Sequence, residues 1–167
     1  YNCRRSSGNR DGFNVFRLTI DEHTGTHVDA PLHCTADGAS LTEMDAQDLI
    51  APLCIISIAD KARADVNATV SAEDVERWMS ANGQFPEGAC VAMNSGWAHK
   101  VKSSSFRNTP DGALAFPGFS QEAAEILADM GVAALAVDTL SLDAANAADF
   151  PAHRTFLGRG GYGIECL

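Results

Sequence analysis

The chain has 167 residues, 46% of them hydrophobic and 20% charged, and carries a formal net charge of −10. A chain of that length fits one domain and buries roughly 70% of the surface its unfolded form exposes, so a core needs no disulfide staples. The apolar fraction excludes disorder for the whole chain, no run reaches the ~20 apolar residues of a membrane helix, and the acidic balance argues against nucleic acid or an anionic membrane as partner.

The chain opens at Tyr1 rather than Met, which reads as a fragment or a processed product, so residues 1–167 are expected to form a single domain incomplete at both ends. Residues 1–11 are polar and read as a loop; Arg4-Arg5 lacks the apolar stretch of a twin-arginine signal. Phe13 to Ile20 alternates with a strand period, placing Phe16, Leu18 and Ile20 on one face. Pro52 to Ala59 is a near-continuous apolar run and predicts a buried strand. Ser71 and Asp74 form a capping-box start for a helix whose face is Val75, Trp78 and Met79, and Gly83 stops it. Gly88 to Met93 predicts a second buried strand, and residues 98–118 a long polar loop. Ser120 caps a helix with Ala123, Ile126, Leu127 and Met130 on one face, and Val132 to Val137 then predicts a strand ending at Asp138. Strands interleaved with helices give a mixed α/β class.

Five cysteines at irregular spacing include no Cys-x-x-Cys pair, and Cys54 and Cys90 read as small core residues in strands. A reduced, cytoplasmic setting is the default. Gly158 to Gly163 satisfies Gly-x-Gly-x-x-Gly, but the long helix of a dinucleotide site does not follow, so the match is read as a glycine-rich turn.

The chemistry concentrates in His23-Thr24-Gly25-Thr26-His27-Val28-Asp29-Ala30-Pro31-Leu32-His33. Four potential ligands or bases stand at offsets 0, 4, 6 and 10 around a glycine and a proline. Imidazole with carboxylate suits zinc, manganese or iron, and His27 and Asp29 share one face of an extended stretch. A catalytic metal keeps a position open for water, which leaves one histidine for proton transfer; His33, beyond Pro31, is the candidate general base. Cys34 is a competing nucleophile beside it, ranked below the metal reading.

The motif His-x-Gly-Thr-His-x-Asp-x-Pro-x-His resembles the signature of the metal-dependent cyclase-like amidohydrolases, a family that includes kynurenine formamidase and isatin hydrolase. His153 and Glu165, twelve residues apart, resemble a second element of the family, and Asp138 to Asp143 and Asn94 to Trp97 resemble two more. The likeness runs from about residue 12 to the end. It implies a swivelling β/β/α domain, a homodimer or higher oligomer, and a divalent metal cofactor, Mn2+ or Zn2+, as one or two ions. It implies His23, His27 and Asp29 as ligands of a first metal, Asp29, His153 and Glu165 as ligands of a second, and His33 as proton donor and acceptor. Family members also carry an N-terminal segment with a substrate-facing aromatic residue, which residues 1–11 do not match, and continue beyond the glutamate. Formamidases have Pro where Leu140 stands; Leu140, Leu142 and Asn94 to Trp97 are closer to isatin hydrolase, a branch associated with one manganese.

The expected activity is metal-assisted hydrolysis of a C–N amide bond in a small aromatic or cyclic substrate. Thr26 and Ser141 are expected to orient a ligand or water, and Trp97 to line the substrate pocket. Asp138 and Asp143 are kept as structural or supporting groups, and Glu22 and His99 as solvated ones. Competing readings are an arylformamidase acting on N-formylkynurenine, a lactonase or dehydratase-type cyclase, and a non-catalytic metal-binding member.

Overall fold

A computed structural model describes residues 2–5 and 16–167. Its strands and helices in chain order are β1 (Asn2–Arg5), β2 (Phe16–Thr19), β3 (His27–Asp29), β4 (Leu53–Ser57), α1 (Ala59–Ala64), β5 (Thr69–Val70), α2 (Ala72–Asn82), β6 (Cys90–Asn94), β7 (Gly118–Phe119), α3 (Gln121–Asp129), β8 (Ala134–Val137), α4 (Pro151–Leu157) and β9 (Tyr162–Glu165). The main sheet has the order β3-β9-β8-β6-β4, parallel throughout except for β3, which runs antiparallel to β9. β5 and β7 make a short parallel pair, and β1 and β2 an antiparallel hairpin.

The period-2 alternation of each strand assigns its two faces. Cys54, Ile56, Val91, Met93, Leu135 and Val137 point to the face covered by helices, where Val75, Ala123, Ala124, Leu127, Phe156 and Leu157 complete the larger core. The opposite face carries smaller side chains: Cys90, Ala92, Ala134, Ala136 and Tyr162 pack with Val28, Met44 and Ile164. Cys54 and Cys90 are thus both buried, on opposite faces of the sheet.

The edge strand β4 corrects one expectation. Its apolar run predicts burial throughout, yet Leu53 and Ile55 are 62% and 53% exposed. They sit on the small-residue face at the end of the sheet, where no described neighbour covers them, while Cys54 and Ile56 face the core. The N-terminal reading is corrected too: Asn2–Arg5 is a strand, whereas Tyr1, residues 6–12 and the start of the predicted Phe13–Ile20 strand lie outside the described residues. Phe16, Leu18 and Ile20 are exposed.

Both predicted helices form. Ser120 Oγ accepts the Ala123 N–H at 3.1 Å and starts α3. At α2, the Asp74 carboxylate accepts the Ser71 N–H and hydroxyl at 2.9 and 3.0 Å, and also takes Lys61 Nζ at 2.5 Å and Arg77 at 2.8 Å. Burial alone would raise Asp74, but these donors outweigh it and hold its pKa at about 2. The folded pKa therefore lies below the unfolded value of 3.8, so the stabilisation is complete above that value and is lost as pH falls toward 2. Asp74→Ala is expected to cost about 1–3 kcal/mol at neutral pH. It should also flatten the acid limb of the stability curve between pH 4 and pH 2, as measured by urea denaturation across pH.

Two short helices were not predicted. α1 spans six residues, three of them alanine and three charged, and α4 is a seven-residue segment opened by Pro151, both too short to show a periodic face. Among the described residues no helix is long and apolar enough to cross a membrane.

Candidate metal centre

β3 and β9 build the floor of the site. Their antiparallel register sets His27 opposite Glu165 and Asp29 opposite Gly163. Gly163 belongs to the glycine-rich stretch that the sequence reading took for a turn. In the structure it is a strand residue, and a Cβ there would lie 3.3 Å from Asp29 Cβ and 2.9 Å from Leu142. Glycine is what lets β9 approach the Asp29 side chain this closely. Thr26 Oγ1 donates to the Cys166 carbonyl at 2.6 Å and fastens the motif to the end of β9. Gly25, at φ 71°, makes the bend between His23 and His27.

His23 Nδ1, His27 Nε2 and Asp29 Oδ1 face one another: the two nitrogens are 3.0 Å apart and lie 2.7 and 3.1 Å from the oxygen. A second group forms on the other oxygen of Asp29. His153 Nε2 lies 3.4 Å from Asp29 Oδ2 and 3.0 Å from Glu165 Oε1. Within each of these two triads the ligand atoms are within 4.8 Å of one another. Glu165 Oε2 reaches back to within 3.6 Å of His27, so Asp29 and Glu165 both touch the two groups.

The outward nitrogens are tied down. His27 Nδ1 donates to the Gly25 carbonyl at 2.9 Å, and His153 Nδ1 to Asp143 Oδ2 at 2.6 Å. Each bond selects the tautomer that turns an Nε2 lone pair inward. Asp143 also accepts the Ala152 and His153 backbone N–H groups, so one carboxylate both starts α4 and orients its histidine. Glu165 Oε1 accepts the Leu142 N–H at 3.0 Å.

These residues fit a divalent cation. Asp29 is 1% exposed, and among the described residues neither of its oxygens has a hydrogen-bond donor. The ring nitrogens approach it at contact distance but off the hydrogen-bond line, and facing lone pairs repel unless a cation lies among them. Burial opposes charge on His153, yet Asp143, Asp29 and Glu165 outweigh it and push its pKa up to about 11. Burial likewise opposes charge on Asp29, and His153, His27 and His23 hold it below the usual carboxylate value. Three buried carboxylates recruit that proton, and the two that face the triads, Asp29 and Glu165, are a ready seat for a metal ion.

The centre opens into a cavity of about 620 Å³, lined among others by His33, Cys34, Leu140 and Ser141. The His33 ring stands 4.1 Å from that of His23 and 6.0 Å from that of His153. Burial and the nearby His23 lower its pKa, which favours the neutral, proton-accepting ring. Burial pushes the Cys34 thiol up, away from the thiolate a nucleophile needs.

The remaining candidates are placed as follows. Ser141 lines the cavity, and its Oγ accepts the Asp143 N–H at 3.3 Å. Trp97 is buried, donates its indole N–H to the Phe106 carbonyl, and is not among the cavity-lining residues. Asp138 accepts the Ser95 and Trp97 N–H groups and the Ser95 hydroxyl, tying the end of β8 to that of β6. The Glu22 side chain is 90% exposed, and His99 is exposed. Sequence reasoning missed Phe150 and Arg154, which line the cavity from the residue before α4 and from α4 itself. Only recognition of α4 as a helix placing them on either side of His153 would have pointed to them.

A family model described as putative cyclase matches residues 6–144. The chain belongs to the cyclase family. Within that family it is 28% identical over 160 residues to an isatin hydrolase of Roseibium aggregatum, matching 90% of this chain and 60% of the relative. It is 27% identical over 163 residues to a kynurenine formamidase of Salinibacter ruber, at 98% and 69% coverage. A solved isatin hydrolase bound to the product analogue thioisatinate superposes with a TM-score of 0.89 at 26% identity, over 99% of this chain and 68% of that one. The mixed α/β fold of this cyclase-family chain is therefore that of an isatin hydrolase, and the chain spans 60% of the length of the Roseibium relative.

Proposed function

We propose that this chain, read as one domain, carries the centre of a metal-dependent hydrolase that cleaves a C–N amide bond of a small aromatic or cyclic amide, in the manner of an isatin hydrolase. The single observation that carries the reading is the pair of triads sharing Asp29, whose buried oxygens have no donor. The likeness to an isatin hydrolase and a kynurenine formamidase supports the amide substrate. Leu140, where formamidases have Pro, favours the isatin side; arylformamidase action on N-formylkynurenine is the second reading.

In this proposal His23, His27 and Asp29 hold a first divalent ion, and Asp29, His153 and Glu165 offer a second seat. A divalent ion there supplies Lewis acidity, which lowers the pKa of water and polarises an amide carbonyl. His33 takes the proton from the attacking water on a ring nitrogen and returns it to the leaving amine. Asp143 and the Gly25 carbonyl keep His153 and His27 aimed, and Ser141 helps hold the loop between β8 and α4 that carries Asp143. Manganese and zinc both suit two imidazoles with a carboxylate. The proposal further takes the protein to be a homo-oligomer acting on small molecules in the cytoplasm; Cys34, Cys54, Cys90 and Cys166 are free thiols, which agrees with that setting.

The test is turnover of a panel by the purified, metal-loaded protein: isatin, N-formylkynurenine, a simple lactam and a lactone. Hydrolysis of isatin or the lactam with the highest kcat/KM supports the proposal, and N-formylkynurenine in first place supports the second reading. Cleavage of the lactone alone contradicts both. Asp143→Asn gives a separate check. It is expected to weaken metal affinity by about 10–100-fold with an unchanged circular dichroism spectrum, as read by chelator competition.

A further inference from the structure

Cys166 enters no step above, and its backbone is unusual. Among the described residues three non-glycine residues have positive φ: Asp149, Phe150 and Cys166, at 61°, 52° and 57°. Residues with a side chain rarely adopt this conformation, and it clusters at functional sites. All three stand beside a ligand of the proposed centre. Asp149 and Phe150 lie shortly before His153, and Cys166 directly follows Glu165.

The left-handed turn gives each polar backbone group of Cys166 a partner on a different side. The β3–β9 ladder ends at the pair His27 and Glu165. Beyond it the Cys166 N–H donates to the Thr139 carbonyl at 2.9 Å, on the β8 side, and the Cys166 carbonyl accepts the Thr26 hydroxyl at 2.6 Å, on the β3 side. Thr139 is a firm anchor, fully buried, and its own hydroxyl donates to the Pro117 carbonyl at 2.9 Å. Glu165 is thus held through the residue that follows it, while the Leu142 N–H holds its Oε1. That leaves Oε2 3.6 Å from His27 and Oε1 3.0 Å from His153, between the two triads. Rotating φ of Cys166 into the ordinary negative range would re-aim its carbonyl and release Thr26. The Cys166 thiol belongs to neither triad.

We propose that Cys166 is a positioning residue of the metal centre and acts through its backbone: its left-handed conformation, latched by Thr26, holds the Glu165 carboxylate between His27 and His153. The inference rests on the metal-dependent hydrolase reading and deepens it. Thr26 is exposed, so the latch adds only modestly to stability. What it fixes is direction, and a misaimed ligand weakens a metal site without unfolding the protein.

The test reads affinity for manganese and for zinc by chelator competition, with the thermal midpoint measured in chelator. Glycine and asparagine accept positive φ, whereas β-branched valine resists it. Cys166→Gly and Cys166→Asn are therefore expected to bind metal as the wild type does, although both lack the thiol. Cys166→Val should bind it about 10–100-fold more weakly. Thr26→Val should show a similar loss, and Thr26→Ser should regain the affinity. In both threonine variants the midpoint in chelator should stay close to that of the wild type; a midpoint that falls together with the affinity makes the latch merely structural and overturns the proposal. Equal losses in all three Cys166 variants assign the effect to the thiol and overturn the backbone role. Wild-type affinity in Cys166→Val or in Thr26→Val also overturns it, and leaves the hydrolase reading intact. A wild type that binds neither ion sinks that reading itself, and the positioning role with it.

Discussion

Asp29→Ala is expected to give a folded protein that retains no divalent metal after gel filtration, as read by elemental analysis, with turnover at background. The expectation follows from the position of this carboxylate. Each oxygen serves a different triad, so a single substitution removes one ligand from both. What remains for the first seat is two imidazoles, one of them on the exposed His23, and for the second a single imidazole and Glu165. Loss of the negative charge also leaves His23, His27 and His153 without the group that draws them together. The effect on the fold should be modest. Asp29 sits at the end of a three-residue strand, and neither of its oxygens accepts a hydrogen bond whose loss would strand a donor. A thermal midpoint measured in chelator, close to that of wild type in chelator, would separate loss of metal from loss of structure. Unchanged metal stoichiometry would remove Asp29 from the centre.

His33→Ala should behave in the opposite way: full metal content with kcat reduced by about 10²–10⁴-fold. His33 is exposed at the cavity wall, the last residue of the short 3-10 turn opened by the buried Pro31. It belongs to neither triad, yet its ring lies against that of His23. That placement lets it exchange protons with a water or an amine beside the centre without contributing a ligand. His33→Gln keeps a hydrogen-bonding side chain of similar reach but cannot cycle a proton, so it should be nearly as slow as the alanine variant. Full activity in either variant would place the base elsewhere.

The local part of the site was legible in the sequence because its chemistry is local. His23, His27, Asp29 and His33 fall within eleven residues around a bend at Gly25, a density that solvated histidines do not produce. His153 and Glu165 were legible only through resemblance, because what unites them with Asp29 is the antiparallel β3–β9 register and the placement of α4, neither of which shows in spacing. Gly163 was misread for the same reason. A glycine that admits a neighbouring strand's side chain looks, in sequence, like any glycine in a turn. For the fold, the period of α3 and the capping residues of α2 were informative, and the apolar run of β4 was informative about strand type but not about burial. A continuous run fills both faces of a strand whether or not something covers both, and in β4 Leu53 and Ile55 have nothing over them among the described residues. Phe150 and Arg154 escaped because a seven-residue helix opened by a proline shows no period, and nothing in the sequence marks the left-handed backbone at Phe150 just before it.

The most direct test of the central claim is a metal titration of the chelator-treated protein, with bound metal and isatin hydrolysis read in the same samples. The account predicts that manganese or zinc restores turnover in proportion to the metal bound, with saturation at one or two ions per chain and no restoration in Asp29→Ala. Hydrolysis that proceeds without metal, or metal that binds Asp29→Ala as it binds the wild type, would contradict it.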